Sequence, residues 1–208
     1  LFMPYVPYAR QDRRVNPGEP FSLEAFAELI NAQRYHTVHM LDPHSQVAPG
    51  LIKNRNVLSN TAFIKKAIEE YKPDYLVAPD EGATKKVLDP AFESGIPYIN
   101  AAKIRDLKNK GRIIGTTVYS KPETVAGKRL LILDDICDGG RTFTELATEL
   151  KNMGTASVGL FITFGIFSKG LEPLFKHLDF VSTTNGFNDP VVPPDSKFNL
   201  QVNKIDLF

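Results

Sequence analysis

Short apolar runs alternate with longer amphipathic stretches along the whole chain. The runs are rich in Val, Ile and Leu and have the length of buried strands, whereas apolar residues in the stretches recur every three or four positions, as on one face of a helix. Strands that are apolar on both faces and separated by helices are typical of a mostly parallel sheet with helices packed against it. We therefore predict an α/β fold.

Gly, Pro and Asp punctuate this pattern and set the limits of the predicted elements. Strands are predicted at residues 1–6, 36–41, 75–78, 98–102, 113–118, 129–133, 157–163, 180–182 and 200–205. Helices are predicted from an N-cap at Ser22 to residue 30, and at residues 61–71, 83–93, 142–153 and 171–178. Pro90 is expected to weaken the second half of its helix, because proline lacks the amide hydrogen that helix bonding needs.

Composition narrows the function without naming one. The chain has 208 residues, 42% of them apolar, with 25 basic and 24 acidic residues. The near-neutral charge argues against a protein that coats a polyanion, and no apolar run reaches the roughly 18 residues of a membrane helix. We expect neither a nucleic acid nor a membrane as a partner. The single cysteine, Cys137, excludes an internal disulfide and a cysteine-built zinc site, and it fits a reducing, cytoplasmic location.

The chain begins with Leu-Phe-Met, without an initiator Met and inside an apolar stretch. No positively charged leader precedes this stretch in the printed sequence, so we expect no signal peptide. We also expect that the printed sequence is a fragment, with material missing upstream.

Aspartate recurs where predicted strands end. Asp42 and Asp80 each follow a predicted strand, and the pair Asp134 and Asp135 follows a third. Ligands of open α/β sheets bind outside the carboxyl ends of the strands. Aspartate also begins ordinary turns, but three instances, one of them a pair, favour a functional site.

The most informative segment runs from Leu130 to Thr142 and reads LLILDDICDGGRT. An apolar strand leads into the acidic pair, then into a Gly-containing turn and a helix. Backbone amides in such a turn, with the positive end of the helix, can hold a phosphate. The two carboxylates can accept hydrogen bonds from vicinal hydroxyls or hold a divalent ion. A sugar phosphate would satisfy both halves at once.

This segment resembles the signature of the type I phosphoribosyltransferase fold. The resemblance implies that Asp134 and Asp135 hold the ribose diol and that the following loop holds the 5-phosphate. The residues of that loop are Asp138, Gly139, Gly140, Arg141 and Thr142. One branch of the family transfers ribose phosphate to a base. The other branch, phosphoribosyl pyrophosphate (PRPP) synthetase or ribose-phosphate pyrophosphokinase, moves pyrophosphate from ATP to ribose 5-phosphate.

Further segments resemble the synthetase branch. Residues 7–14, PYARQDRR, resemble its ATP-binding segment, in which Arg10 can form paired bonds to a phosphate and Gln11 can read the polar edge of a purine. His44 falls on a strand-end position whose histidine helps to hold the metal–ATP complex, and Asp80 matches a metal partner. The resemblance therefore implies Mg²⁺ as the cofactor, with Asp80 and His44 as metal-binding residues.

Lys103-Ile104-Arg105 resembles the catalytic Lys-x-Arg pair of the synthetase, at the start of a flexible basic loop predicted at residues 103–112. Mobile positive charge of this kind can arrive with a transferring phosphoryl group and exclude water. A run of charge is also typical of a solvated surface. The position of the loop, after a strand and opposite the acidic strand ends, favours a catalytic role for Lys103 and Arg105.

The sequence departs from the family in residues and in extent. Arg141 has entered the phosphate loop, where it could strengthen phosphate binding, accept a larger 5-substituent such as the diphosphate of ADP-ribose, or point to solvent. Phe164 stands where the family has His. The resemblance implies a half-domain before the ATP-binding segment, which in the family supplies adenine contacts across a subunit interface; the printed sequence does not include it, and we expect it upstream. We expect two related domains in a homo-oligomer: residues 1–57, the incomplete ATP-binding domain, and residues 58–208, the phosphoribosyltransferase-like domain.

The resemblance implies a ribose-phosphate pyrophosphokinase that converts Mg–ATP and ribose 5-phosphate into PRPP and AMP. Three alternatives stay open. The acceptor could be a 5-substituted ribose such as ADP-ribose. The protein could be a base phosphoribosyltransferase, which has no need of Arg10 and Gln11. It could also be a non-catalytic regulatory partner of a synthetase, although such proteins tend to lose the basic pair that is present here as Lys103 and Arg105.

Overall fold

The computed structural model describes residues 1–106, 112–188, 190 and 199–205, and for residues 105, 106 and 112–114 it describes the backbone alone. The chain divides into two compact units. The first comprises Leu1–Asn60 with Ile205, and the second comprises Thr61–Lys204. Each unit has its own sheet and its own hydrophobic core.

The first unit contains a small parallel sheet and two helices. Its strands are β1 Phe2–Met3, β2 Val38–Leu41 and β3 Arg55–Leu58, and its helices are α1 Ser22–Ala32 and α2 Val47–Leu51. The strands lie in the order β1-β2-β3. Leu23 and Ala27, four residues apart on α1, share a core with Val38 and Met40, two residues apart on β2. The helical and strand periods thus turn apolar residues toward one core.

The second unit contains a larger sheet. Its strands are β4 Tyr75–Ala78, β5 Tyr98–Asp106, β6 Arg112–Val118, β7 Arg129–Cys137, β8 Ser157–Gly165, β9 Phe180–Thr184 and β10 Leu200–Asn203. They lie in the order β10-β9-β8-β7-β4-β5-β6, and neighbouring strands are parallel except for the antiparallel pair of β5 and β6 at one edge. β7 and β4 are therefore adjacent near the middle of the sheet.

Helices of the second unit cover both faces of this sheet. They are α3 Thr61–Tyr71, α4 Thr84–Ser94, α5 Pro122–Val125, α6 Arg141–Asn152 and α7 Glu172–Phe175. In β7, Leu130 and Ile132 pack with side chains of α6, whereas Leu131 and Leu133 pack with side chains of α3 and α4. Each of these four residues gains about 1.5–3 kcal/mol from burial. The predicted α/β fold with a mostly parallel sheet is confirmed.

Within the described part of the chain, no helix combines the length and the apolar character that crossing a membrane requires.

Among the strands that extend beyond their predicted limits, β7 and β5 affect the site. β7 continues to Cys137, so the acidic pair lies within the strand instead of after it. β5 continues to Asp106, so the predicted basic loop begins as a strand; residues 107–111 of that loop lie outside the described residues. Pairing of β5 with β6 explains the second difference, because backbone bonds across the sheet edge leave no local sequence pattern.

Three short elements, α2, α5 and β3, were not predicted. β3 shows no apolar pattern, because its first three residues, Arg55, Asn56 and Val57, are exposed. It pairs with β2 and so belongs to the first unit. The division between the two compact units falls after Asn60.

The predicted N-cap of α1 is wrong, and the predicted helix around Pro90 is confirmed. Ser22 is the first residue of α1, and the cap position is Phe21, which makes no side-chain cap bond. α4 continues through Pro90 to Ser94, although proline removes one helix bond. Pro90 is buried, and its carbonyl accepts a hydrogen bond from the Ser94 hydroxyl at 2.7 Å. These tertiary and local contacts offset the bond that proline cannot make.

Gly140 and Gly170 provide a matched test of packing after β7. Both have positive φ, +77° and +73°, a conformation that costs other residues about 1–2 kcal/mol. A Cβ on Gly140 would also lie 2.6 Å from Leu174 Cδ2, whereas one on Gly170 would meet nothing within 4 Å. We expect Gly170→Ala to lower the free energy of unfolding by about 1 kcal/mol, and Gly140→Ala to lower it by about 1 kcal/mol more. Urea unfolding measures both losses; equal losses would show that Leu174 moves aside without cost.

Candidate active site

The acidic pair lies at the carboxyl end of β7, a strand whose preceding residues are apolar and buried. Asp135 is 3% exposed, Asp134 is half-buried, and the Asp135 amide donates to Asp134 Oδ1 at 2.9 Å. Burial raises the pKa of Asp134 well above its usual range, and the neighbouring carboxyl of Asp135 and the charge of Asp80 raise it further. A cation or a hydroxyl donor would therefore stabilise the ionised pair.

Lys86 of α4 brings positive charge to this pair. Its Nζ lies 3.8 Å from Asp135 Oδ2, and its side chain is only 20% exposed. Two charges sheltered from water interact more strongly than a pair on the surface. Lys86 was not among the predicted site residues, since nothing in its local sequence shows that α4 turns it toward β7.

Asp80 and Lys103 form an ion pair at the same end of the sheet as the acidic pair, where the parallel strands have their carboxyl ends. Because β4 lies between β7 and β5, Asp80 stands between the acidic pair and Lys103. Lys103 Nζ lies 2.8 Å from Asp80 Oδ2, and the Ala83 amide donates to Asp80 Oδ1 at 3.2 Å. Lys103 lies in β5 and not in a flexible loop, which corrects the prediction. The backbone of Arg105 lies in β5 as well, but its side chain is outside the described part, so its role stays a prediction.

The glycine loop, residues 138–140, connects β7 to α6 and is tied to the loop that follows β8. The Cys137 carbonyl accepts a hydrogen bond from the Phe167 amide at 3.1 Å, and the Asp138 carbonyl accepts one from the Ser168 amide at 3.2 Å. Gly140, at φ +77°, turns the chain into α6. A glycine turn held rigidly before a helix N-terminus is an arrangement that can bind a phosphate.

The thiol of Cys137 lies in the interior beside this loop. Burial raises the pKa of Cys137 to about 12, and the charges of Asp134 and Asp138 contribute to the rise. The group is a neutral thiol at physiological pH, so Cys137 is a packing residue and not a nucleophile.

Arg141 lies on the surface of α6. Its Nε donates to Glu145 Oε1 at 2.6 Å, one helical turn away, and its side chain is 73% exposed. The next residue, Thr142, is half-buried. Of the roles considered for Arg141, this geometry favours the side chain that points to solvent.

In the first unit, the residues predicted to bind ATP line one cavity. Arg10, Gln11 and His44 surround it together with Asp12 and Arg13, and its volume is about 440 Å³. Small-molecule sites commonly have volumes of about 300–1,000 Å³. Guanidinium groups around a cavity of this size suit a ligand that carries several phosphates.

Asp12 links the two segments that form this cavity, although it was not among the predicted residues. Arg13 donates to both of its carboxylate oxygens, at 2.9 and 3.3 Å, and Asp12 is 6% exposed. The bond from Arg13 lowers the pKa of Asp12 against the opposing effect of burial, and a bond with Ser45 and the charge of His44 lower it further. An acid between basic residues in a loop was the available sequence signal.

The predicted metal-binding residues lie in different units, with His44 in the first and Asp80 in the second. Their shared role in metal binding therefore stays a prediction. Among the residues that the structure describes, no three His, Cys, Asp or Glu side chains form a group suited to hold a metal ion.

Comparison with known proteins places this chain in a family. The phosphoribosyl transferase domain profile matches residues 52–195. The ribose-phosphate pyrophosphokinase of Pyrococcus furiosus is 32% identical over 92% of this chain and 67% of its own. That of Pyrococcus abyssi is 30% identical over 89% of this chain and 64% of its own. The chain belongs to the ribose-phosphate pyrophosphokinase family.

The fold of this family member agrees with a solved structure. The phosphoribosylpyrophosphate synthetase of Mycobacterium smegmatis superposes with a TM-score of 0.82 at 23% identity, over 98% of this chain and 66% of that one. The predicted phosphoribosyltransferase-like fold is confirmed. The chain spans about two thirds of the length of these relatives.

Replacement of Asp134 by Asn tests the electrostatics of the acidic pair. Because the pKa of Asp134 is raised above 3.8, the native protein binds this proton more tightly than the unfolded chain does. The free energy of unfolding should therefore fall as the pH rises from 3.8 through the raised pKa. Asn keeps the oxygen that accepts from the Asp135 amide but cannot ionise. We expect Asp134→Asn to become progressively more stable than the parent as the pH rises.

Urea unfolding of the parent, Asp134→Asn and the surface variant Asp89→Asn between pH 4 and pH 8 measures this difference. The Asp89 variant should follow the parent, since Asp89 is exposed on α4. A stability difference between Asp134→Asn and the parent that does not change with pH would contradict the raised pKa.

Proposed function

We propose that this protein transfers the β,γ-diphosphate of Mg–ATP to the 1-hydroxyl of ribose 5-phosphate, which gives PRPP and AMP. In this reaction the 1-hydroxyl oxygen attacks the β-phosphorus. The bond from that phosphorus to the oxygen bridging the α- and β-phosphates breaks, AMP leaves with the bridging oxygen, and the hydroxyl proton is released. The transition state concentrates negative charge on the transferring group, so fixed positive charge nearby accelerates the reaction.

This proposal is supported above all by the group of charges at the carboxyl ends of the strands in the second unit. The acidic pair faces Lys86, the ion pair of Asp80 with Lys103 lies on the adjacent strands, and the glycine loop follows directly. Hydroxyl donors would stabilise the two carboxylates, and the adjacent glycine loop can bind a phosphate. A sugar phosphate has both kinds of group. Lys103 is placed to supply positive charge on the side of Asp80.

The nucleotide side of the proposal rests on the cavity of the first unit. Arg10 and His44 can contact phosphates, and Gln11 offers both a donor and an acceptor to the edge of a purine. Asp12 holds Arg13 and the segment around Ser45 in place. A base phosphoribosyltransferase has no need of this cavity, which favours the kinase.

The acidic side chains also suit Mg²⁺, which proteins commonly hold through one or two carboxylates together with substrate phosphates and water. Asp80 would be a ligand from the protein, and the repulsion among Asp80, Asp134 and Asp135 is of the kind that a cation relieves. When bound with ATP, the ion would neutralise phosphate charge. The protein's own residues would orient the sugar and exclude water.

For the acceptor, the structure favours ribose 5-phosphate over a 5-substituted ribose. A larger 5-substituent would need a free guanidinium at Arg141 to bind its additional phosphate. That group donates to Glu145 on its own helix. A pocket formed by the loop amides and the start of α6 suits one phosphate.

The decisive experiment is mass analysis of the products formed from ATP with ribose 5-phosphate and, separately, with ADP-ribose. We expect AMP and PRPP from the first mixture and no AMP from the second. AMP formed only with ADP-ribose would correct the acceptor. Failure to form AMP with either sugar, while PRPP and a purine base react, would identify a base phosphoribosyltransferase.

The variant Lys103→Ala tests the role of the charge beside Asp80. We expect kcat to fall by about 100-fold or more, because about 3 kcal/mol of transition-state charge stabilisation is lost, while substrate affinity changes much less. Arg105→Ala should have an effect of similar size. Lys128→Ala is the matched control, since Lys128 lies 3.7 Å from Asp74 at the opposite end of the strands. Steady-state kinetics measure kcat and KM of all three variants. Near-normal turnover of the Lys103 and Arg105 variants would show that both side chains are surface charges without a role in catalysis.

A further inference from the structure

A lysine from the loop after β8 lies against the glycine loop. A Cβ built on Gly139 would be 3.5 Å from Cε and 3.6 Å from Cδ of Lys169, and 3.9 Å from Oγ of Ser168. The aliphatic stem of Lys169 therefore lies over the side of Gly139 where other residues carry a side chain. The ammonium nitrogen is bonded directly to Cε, so this contact brings a positive charge to the edge of the predicted phosphate site.

The backbone that carries Lys169 is stabilised by a turn hydrogen bond and by a buried aromatic ring. Phe167 and Gly170 close a tight turn, in which the Gly170 amide donates to the Phe167 carbonyl at 2.8 Å. Phe167 is 8% exposed and has a φ of +48°, which is unfavourable for a side chain of its size. Gly165 makes room for it, because a Cβ there would overlap the Phe167 ring. The buried ring thus fixes a turn whose two middle residues, Ser168 and Lys169, are exposed.

Lys169 also differs from nearby cations in its electrostatic partners. Arg141 on α6 is bonded to Glu145, and Lys176 after α7 lies 3.0 Å from Glu172. Lys169 makes no ion pair with any of the side chains that the structure describes, which belong to residues 1–104, 115–188, 190 and 199–205. An anion on the glycine loop would therefore meet this ammonium without displacing a carboxylate from it.

We propose that Lys169 binds the 5-phosphate of the sugar, with the Ser168 hydroxyl as a second donor, and so selects phosphorylated acceptors. This inference rests on the proposed function, because it assigns a further binding residue to the same site. Loop amides and a helix terminus supply only partial positive charge to a phosphate. A full positive charge from a fixed turn adds a charge-assisted hydrogen bond.

Calorimetric titration with ribose 5-phosphate tests this role directly. Lys169→Ala should raise the Kd by about tenfold, which corresponds to about 1.4 kcal/mol, and the loss should diminish as NaCl is raised. Lys169→Arg should bind almost as tightly as the parent. Lys176→Ala removes an exposed lysine from the same neighbourhood and should leave the Kd unchanged. In steady-state assays of Lys169→Ala, the KM for ribose 5-phosphate should rise while kcat and the KM for ATP stay near the parent values.

The outcomes separate this inference from the proposed function. A Kd of Lys169→Ala equal to that of the parent, or an equal loss in Lys176→Ala, overturns the role of Lys169, while AMP formation by the parent would still support the kinase. A parent that binds ribose 5-phosphate through Lys169 but forms no AMP supports the phosphate site and overturns the kinase. A parent that binds no ribose 5-phosphate overturns both.

Discussion

The arrangement of the site depends on two successive carboxyl groups at the buried end of β7, whose negative charges need compensation. Burial raises the pKa of Asp134, and the repulsion between the two carboxyl groups raises it further. α4 brings Lys86 to Asp135, and β5 brings Lys103 to Asp80 on the intervening strand end. These cations leave the pair partly compensated. A sugar diol that donates to both carboxylates would supply the remaining compensation, which is the physical basis of the proposed sugar binding.

The position of these carboxyls depends in turn on the apolar half of the same strand. Helices pack against Leu130 to Leu133 from both faces of the sheet, and Asp134 and Asp135 follow at the carboxyl end of the same strand. Beyond them, backbone bonds from the β8 loop hold Cys137 and Asp138, and Gly140 starts α6. One continuous segment thus joins the core, the acidic pair and the glycine loop. The distances between these three parts are therefore set by the fold of that segment.

Features that reside in one strand or one loop could be read from the sequence. The apolar runs predict the α/β fold, and Asp80 and the acidic pair are visible because each directly follows or ends a buried run. Lys86, Asp12 and the length of β5 could not be predicted. Lys86 depends on how α4 packs over β7, Asp12 on a bond between neighbouring loops, and β5 on its pairing with β6. In each case the deciding contact joins segments that are separate in sequence.

Arg141 and Lys169 differ in whether a carboxylate already pairs with their charge. Arg141 lies within the family signature, yet Glu145 follows it by four residues, a spacing at which opposite charges pair on one helix face. That spacing is visible in the sequence and by itself predicts an ion pair between Arg141 and Glu145. Lys169 lies 27 positions after the end of the signature, and only the turn fixed by Phe167 returns it to Gly139. The proposed assignment of the phosphate to Lys169 follows from this difference, because the charge of Arg141 is already paired with Glu145 and that of Lys169 is not paired with any described carboxylate.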